Sequence, residues 1–277
     1  MSLDILFKVN RKLTSYKRII SDLLLIRPKS AKIANFSVTK KNILVLGVVL
    51  EDRKNHFRHI KKELNQSEHD VKQIWAVIKP KKEKSYISTD RVFFELFYNF
   101  TPRSEIINSL WTKYKSFNPD YVIILDDDIR LPADFINKYI SVQEFTSFSL
   151  AQPARTPESY ISHQITTRIP NILARETQFV EIGPLVSIKR ELHEHLLPLD
   201  TSSPMGWGLD FVWPIEVKKH KLSMGIIDAV PIAHSLRPTA KSYSHSEALN
   251  EMNKYLKNKE HMKPDDAMRV LNIYEIK

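Results

Sequence analysis

Three consecutive carboxylates, Asp126, Asp127 and Asp128, end the apolar run Tyr121-Val-Ile-Ile-Leu125. Crowded acids repel one another unless a cation or several hydrogen-bond donors lie among them, and a hard divalent ion bound through oxygen is the simplest neutraliser. A helix cap is the competing role, because Asp is favoured at N-caps and Leu131-Pro132 supplies a helix-start proline. One Asp suffices for a cap, so three in a row point to a metal or a nucleotide.

Two further clusters have chemical potential. Met205-Gly-Trp-Gly-Leu-Asp210 places two of the chain's five glycines around a tryptophan. Glycine admits backbone conformations closed to other residues and allows close ligand approach, while Trp207 offers a flat apolar face of the kind on which sugar rings stack. The plainer reading is a turn with Trp207 in the core and Asp210 capping a helix. Beyond a later apolar run, Met224 to Val230, stand His234, Arg237 and Lys241. A histidine accompanied by two cations after a strand fits an ion or phosphate site.

These groups must be positioned by elements, and the apolar pattern supplies them. Tyr121 to Leu125, bounded by Asn118-Pro119 and by charge, reads as a strand buried on both faces in a mostly parallel sheet, with Asp126 to Asp128 at its carboxyl end. Asn42 to Leu50 (NILVLGVVL) and Val71 to Ile78 (VKQIWAVI) read likewise, with further strands at residues 147–153 and 224–230. Helices are expected over 57–64, 104–117 with Ser104 as cap, 132–145, 246–257 and 264–273; Phe93 to Phe100 reads as a buried aromatic packing segment. The result is an α/β architecture, Rossmann-like, in which a ligand binds beyond the carboxyl ends of the strands. No Gly-x-Gly-x-x-Gly and no P-loop is present, which argues against a dinucleotide fold of the usual kind. Lys79, Lys81, Lys82 and Lys84 read as a solvated loop.

The net charge of +10 is uneven: residues 1–41 hold ten Lys and Arg against two Asp, leaving the remainder near neutrality. A nucleic-acid partner is therefore not expected. Within that segment Ile5, Leu6, Val9, Leu13, Tyr16, Ile19, Ile20, Leu23 and Leu24 recur at helical spacing between cations, the pattern of a basic amphipathic helix. Residues 1–30 so suit an anionic membrane surface, or else a helix packed on the body. No apolar run is long enough to span a bilayer, no secretory signal is apparent, and the absence of cysteine excludes disulfides. The expectation is a cytoplasmic protein, peripheral at a membrane if the amphipathic segment docks there. Its domains would be the segment 1–41, a catalytic body 42–245 and helices 246–277.

Taken in order, Asp-x-Asp at a strand end, Leu150-Ala-Gln-Pro-Ala, Ser162-His-Gln-Ile-Thr-Thr-Arg168, Trp207-Gly-Leu-Asp210 and Gly225-Ile-Ile-Asp-Ala-Val-Pro-Ile-Ala-His234 resemble a large family assigned as GT-A-fold glycosyltransferases. The similarity spans roughly residues 42 to 240. It implies a GT-A-like sheet, a nucleoside-diphosphate sugar donor, Mn²⁺ or Mg²⁺, and a glycan or lipid-linked acceptor. By that resemblance Asp126 contacts the ribose or the metal, Asp128 and His234 bind the metal, and Asp210 is the base of an inverting reaction. Whether Asp126 or Asp127 turns toward the donor stays open, with strand alternation favouring Asp126 paired with Asp128. Arg237 and Lys241 are candidates for the diphosphate, and Trp207, Gly208 and His163 for the acceptor side. Two rivals remain at this stage. An Asp-x-Asp phosphohydrolase would use Asp126 as nucleophile, although Ile129-Arg130-Leu131 replaces the Gly and Thr usual there. A non-catalytic membrane-surface scaffold is the other.

Overall fold

The computed structural model describes residues 29–31, 39–81, 85–238 and 245–276. The amphipathic N-terminal segment, Lys82, Lys84 and Lys241 lie outside them. One ten-stranded sheet runs through the described chain in the order β1-β10-β7-β9-β6-β8-β5-β2-β3-β4. Its strands are β1 (Lys29–Ala31), β2 (Asn42–Leu50), β3 (Asp70–Ile78), β4 (Val92–Phe97), β5 (Tyr121–Asp126), β6 (Phe148–Arg155), β7 (Ile172–Thr177), β8 (Leu185–Lys189), β9 (Ser223–Ile232) and β10 (Val270–Ile276). The helices are α1 (Phe57–Asn65), α2 (Arg103–Tyr114), α3 (Phe135–Thr146), α4 (His193–Leu196), α5 (Leu209–Lys219), α6 (His245–Lys257) and α7 (Pro264–Ala267).

Alternation along β2 explains the layering. Ile43 and Val45 face a cluster with Phe57, Ile60 and Leu64 of α1 and Tyr139 and Ile140 of α3. Leu44 and Leu46 face the opposite cluster, with Ile106, Ile107 and Leu110 of α2 and Leu209, Trp213 and Val217 of α5. Side chains pointing to opposite faces therefore each find a helix, which is why the strand is apolar throughout. At Gly47 the ring of Trp75 fills the place of a side chain: a Cβ there would stand 2.3 Å from Trp75 Cζ3.

The strands β4, β3, β2 and β5 are mutually parallel, so Phe97, Ile78, Leu50 and Asp126 end at one edge. Beyond β5 the sheet is mixed, with β8 antiparallel to both β5 and β6 and β7 antiparallel to β9 and β10.

Several elements differ from the sequence expectation. Residues 93–97 form an edge strand rather than a buried packing segment, with Tyr98 56% and Phe100 74% exposed just beyond it. The helix expected over 264–273 is one turn, after which residues 270–276 join the sheet; Val270, Ile273 and Tyr274 are buried there. Pro102, not Ser104, precedes α2, and the Ser104 hydroxyl donates to Pro204 O at 2.9 Å. No helix among the described residues is long and apolar enough to cross a membrane.

Candidate functional site

The strand β5 stops at Asp126, and Asp127 and Asp128 lie in the turn that follows. Strand alternation therefore ceases before it can pair Asp126 with Asp128, and the three carboxylates take different partners. Asp126 accepts from Arg103 Nε and Nη2 of α2, both at 3.2 Å. Asp127 is almost fully buried, and its carboxylate accepts from the Leu50 N–H at 2.7 Å and from Arg237 Nη2. Its carbonyl accepts from the His56 N–H at 2.6 Å. Asp128 accepts from Arg237 Nε at 2.9 Å and lies 3.4 Å from His234 Nε2.

Burial pushes the Asp127 carboxyl up to about 7 in spite of Arg237 and the Leu50 N–H. Burial acts on Asp128 too, but there the contact with His234 and the charge of Arg237 outweigh it and hold the group below its ordinary value. The side chains of Asp128 and His234 are only 10% and 9% exposed, yet Asp128 Oδ1 and His234 Nδ1 are buried without a hydrogen-bond partner. Buried polar atoms are ordinarily satisfied, so an unsatisfied carboxylate oxygen beside an imidazole is a place for a ligand. The carboxylate oxygen suits Mn²⁺ or Mg²⁺, and an imidazole nitrogen beside it suits a transition ion such as Mn²⁺ better than Mg²⁺. Among the described residues no three His, Asp or Glu side chains are gathered as a ready metal cage.

Asp210 is built differently. Gly206 and Gly208 adopt left-handed φ values of 84° and 94°, and α5 starts directly after them. Asp210 falls in the first helical turn, where a carboxylate meets the free N–H groups and the positive end of the helix dipole. Burial, reinforced by the negative charge of Glu181, nevertheless lifts its carboxyl to about 7 against the pull of the Gly208, Asp210 and Phe211 N–H groups. Asp210 Oδ1 is buried and unpartnered. Gly208 is covered by α6: a Cβ there would lie 3.1 Å from both Met252 and Tyr255. Its place in the acceptor set therefore comes down to starting α5. Trp207 is half-buried, and its carbonyl accepts from Ser203 Oγ at 2.8 Å.

A chain of contacts links the two regions. His234 N–H donates to Ser159 Oγ and the Tyr160 N–H donates to His234 O, both at 2.9 Å. Arg155 Nη1 donates to Tyr160 O at 3.0 Å, and Nη2 donates to Gly183 O at 2.7 Å and pairs with Glu181. His163 Nε2 stands 3.9 Å from Glu181, its ring 4.7 Å from that of Phe179 and 6.3 Å from that of Phe211. The Asp126 N–H donates to Pro184 O at 2.9 Å, which returns the chain to the triplet. Asp126, Asp127, Asp128, His234 and Arg237 thus gather at one sheet edge, with Asp210 and His163 reached through Arg155 and Glu181.

Arg103, Arg155 and Glu181 escaped the sequence reading. Glu181-Ile-Gly183 carries one of only five glycines, the single mark that could have drawn attention to it. Arg103 and Arg155 have none.

No family model matches this chain, and no curated protein does. Solved structures do. GalNAc-T7 with UDP, GalNAc and Mn²⁺ is similar at a TM-score of 0.59 and 11% identity over 79% of this chain and 48% of its own. The mannosyltransferase PcManGT of Pyrobaculum calidifontis, with GDP-Man and Mn²⁺, is similar at 0.59 and 12% over 92% and 74%. The chain spans about half the length of the GalNAc-T7 structure. At these identities the likeness is one of fold, the GT-A arrangement of a mixed sheet between helices.

Proposed function

We propose that this GT-A-fold protein is a metal-dependent glycosyltransferase. It would move a sugar from a nucleoside-diphosphate sugar to a hydroxyl of a glycan or lipid-linked acceptor, with inversion. The observation that carries this reading is the buried pair Asp128 and His234, each with an orphaned polar atom, at the carboxyl edge of β5. It is supported by a fold shared with transferases whose structures contain Mn²⁺ and UDP or GDP-Man.

Asp128 and His234 would hold the ion, which when bound neutralises the negative charge of a departing diphosphate, while Asp126 stays paired with Arg103. Asp210 does the proton work. A carboxylate with its pKa lifted to about 7 is mostly ionised just above neutrality, yet basic enough to take the proton of an attacking hydroxyl. The acceptor oxygen bonds to the anomeric carbon as the bond from that carbon to the diphosphate oxygen breaks, the electron pair leaving with the diphosphate. A single displacement inverts the centre. Arg237, with Lys241 from outside the described residues, would meet the diphosphate. Trp207 and His163 would line the acceptor side, and residues 1–30 would bring the site to an anionic membrane surface.

A phosphohydrolase reading needs Asp126 as a free nucleophile, whereas Arg103 holds it through two hydrogen bonds. Thermal denaturation with Mn²⁺ plus UDP, GDP or CMP tests the proposal. One nucleotide should stabilise the protein only when metal is present, by about 2.7 kcal/mol at a hundredfold excess over its dissociation constant. A screen of nucleotide sugars for metal-dependent donor hydrolysis should then identify the sugar. Silence in both assays would overturn the reading.

A further inference from the structure

The guanidinium of Arg237 is engaged on three sides. Nε donates to Asp128 Oδ2 at 2.9 Å, Nη2 pairs with Asp127, and Nη1 donates to Lys54 O at 3.2 Å. Its side chain is only 11% exposed. Two adjacent carboxylates are thus bridged from within the chain by one planar, permanently charged group, while Arg103 pairs with Asp126. The orphaned oxygen Asp128 Oδ1 belongs to the carboxylate whose other oxygen Arg237 occupies.

We infer that Arg237 is a built-in counter-ion that competes with the divalent cation for Asp128, so that metal entry requires the guanidinium to leave and a diphosphate to receive it. The inference rests on the proposed metal and donor site. A divalent ion and a guanidinium on the same carboxylate repel each other, and low local dielectric strengthens that repulsion. Loss of the Arg237 contacts leaves a charge-assisted bond unmade, unless an anion accepts the freed donors. Metal and nucleoside diphosphate should therefore bind cooperatively, each tightening the other by the same factor. Metal alone should bind weakly.

Mn²⁺ binding to the full-length protein, followed by electron paramagnetic resonance with and without UDP or GDP, tests this independently of turnover. In the wild type the diphosphate should tighten Mn²⁺ binding. Arg237→Ala and Arg237→Gln should bind Mn²⁺ alone roughly tenfold more tightly, the scale of one charge-assisted hydrogen bond, and should lose most of the enhancement by diphosphate. Arg237→Lys should fall between. Circular dichroism identifies the variants that remain folded, and either neutral variant suffices. Mn²⁺ affinity in a folded neutral variant that is unchanged or weaker than wild type overturns the inference. If no diphosphate binds the wild type but the neutral variants still tighten Mn²⁺, Arg237 is a counter-ion and the donor reading is what fails.

Discussion

Under the proposed function, Asp210 and the triplet would have different jobs. The triplet is tied up by arginines and a histidine, whereas Asp210 is buried with one oxygen unpaired and a charge partner, Glu181, of its own sign. Asp210→Asn should lower kcat by about 10²- to 10⁴-fold, the range for a general base, while Mn²⁺ and nucleotide binding survive in calorimetric titration. Loss of nucleotide binding instead would move Asp210 into the donor site. In the wild type, kcat/KM should fall as the pH drops below about 7, following protonation of this carboxyl. Stability runs the other way. With a folded pKa raised above the unfolded one, the folded state binds more protons between about pH 4 and 7, so this group makes stability fall as pH rises through that window. Thermal denaturation against pH should show a smaller loss in Asp210→Asn than in the wild type.

At the scale of elements, one buried ion pair organises the loop that carries His163. Arg175 of β7 donates through Nε and Nη2 to Asp228 of β9 at 2.8 and 3.0 Å, and through Nη1 and Nη2 to Ile165 O and Thr167 O. The carbonyl of Arg175 passes so close to β9 that a Cβ on Gly225 would stand 2.3 Å from it, and equally close to Phe148 Cε2. Gly225→Ala should therefore cost at least about 2 kcal/mol, measured as a lower denaturant midpoint. At Gly183 the nearest atom to an added Cβ is Asp126 Oδ2 at 3.4 Å, an ordinary contact, so alanine there should be tolerated far better. The same elements show what a sequence can reveal. Strands β2, β3 and β5 and helices α1 and α2 were legible because they are apolar on both faces or amphipathic, and so were Asp126 to Asp128 and His234 at strand ends. β7 was not, because Arg175 and Glu176 interrupt it, and only the fold supplies Asp228 to Arg175. β10 reads as helix because Pro264-Asp265-Asp266 opens like one and its partner strand lies far away in sequence. The pairing of Arg237 with Asp127 and Asp128 joins residues about 110 positions apart, a relation no local pattern encodes.

Across the whole molecule, β1 and β10 close the sheet at the edge opposite β4, in parallel register with Lys29 beside Tyr274 and Ala31 beside Ile276. The basic amphipathic residues thus precede a strand that belongs to the folded body. Removing residues 1–28 should abolish cosedimentation with anionic vesicles and leave the melting temperature unchanged; unchanged cosedimentation would dismiss the membrane role. A truncation that continues through Ala31 is a different experiment. It strips the cover from β10 and leaves a row of unpaired backbone donors and acceptors, the template on which strands of separate molecules add to one another. Such a shortened protein should self-associate, and any vesicle pelleting it shows would be sedimentation of its own oligomers. The boundary at residue 29 decides whether a deletion reports on lipid or on aggregation.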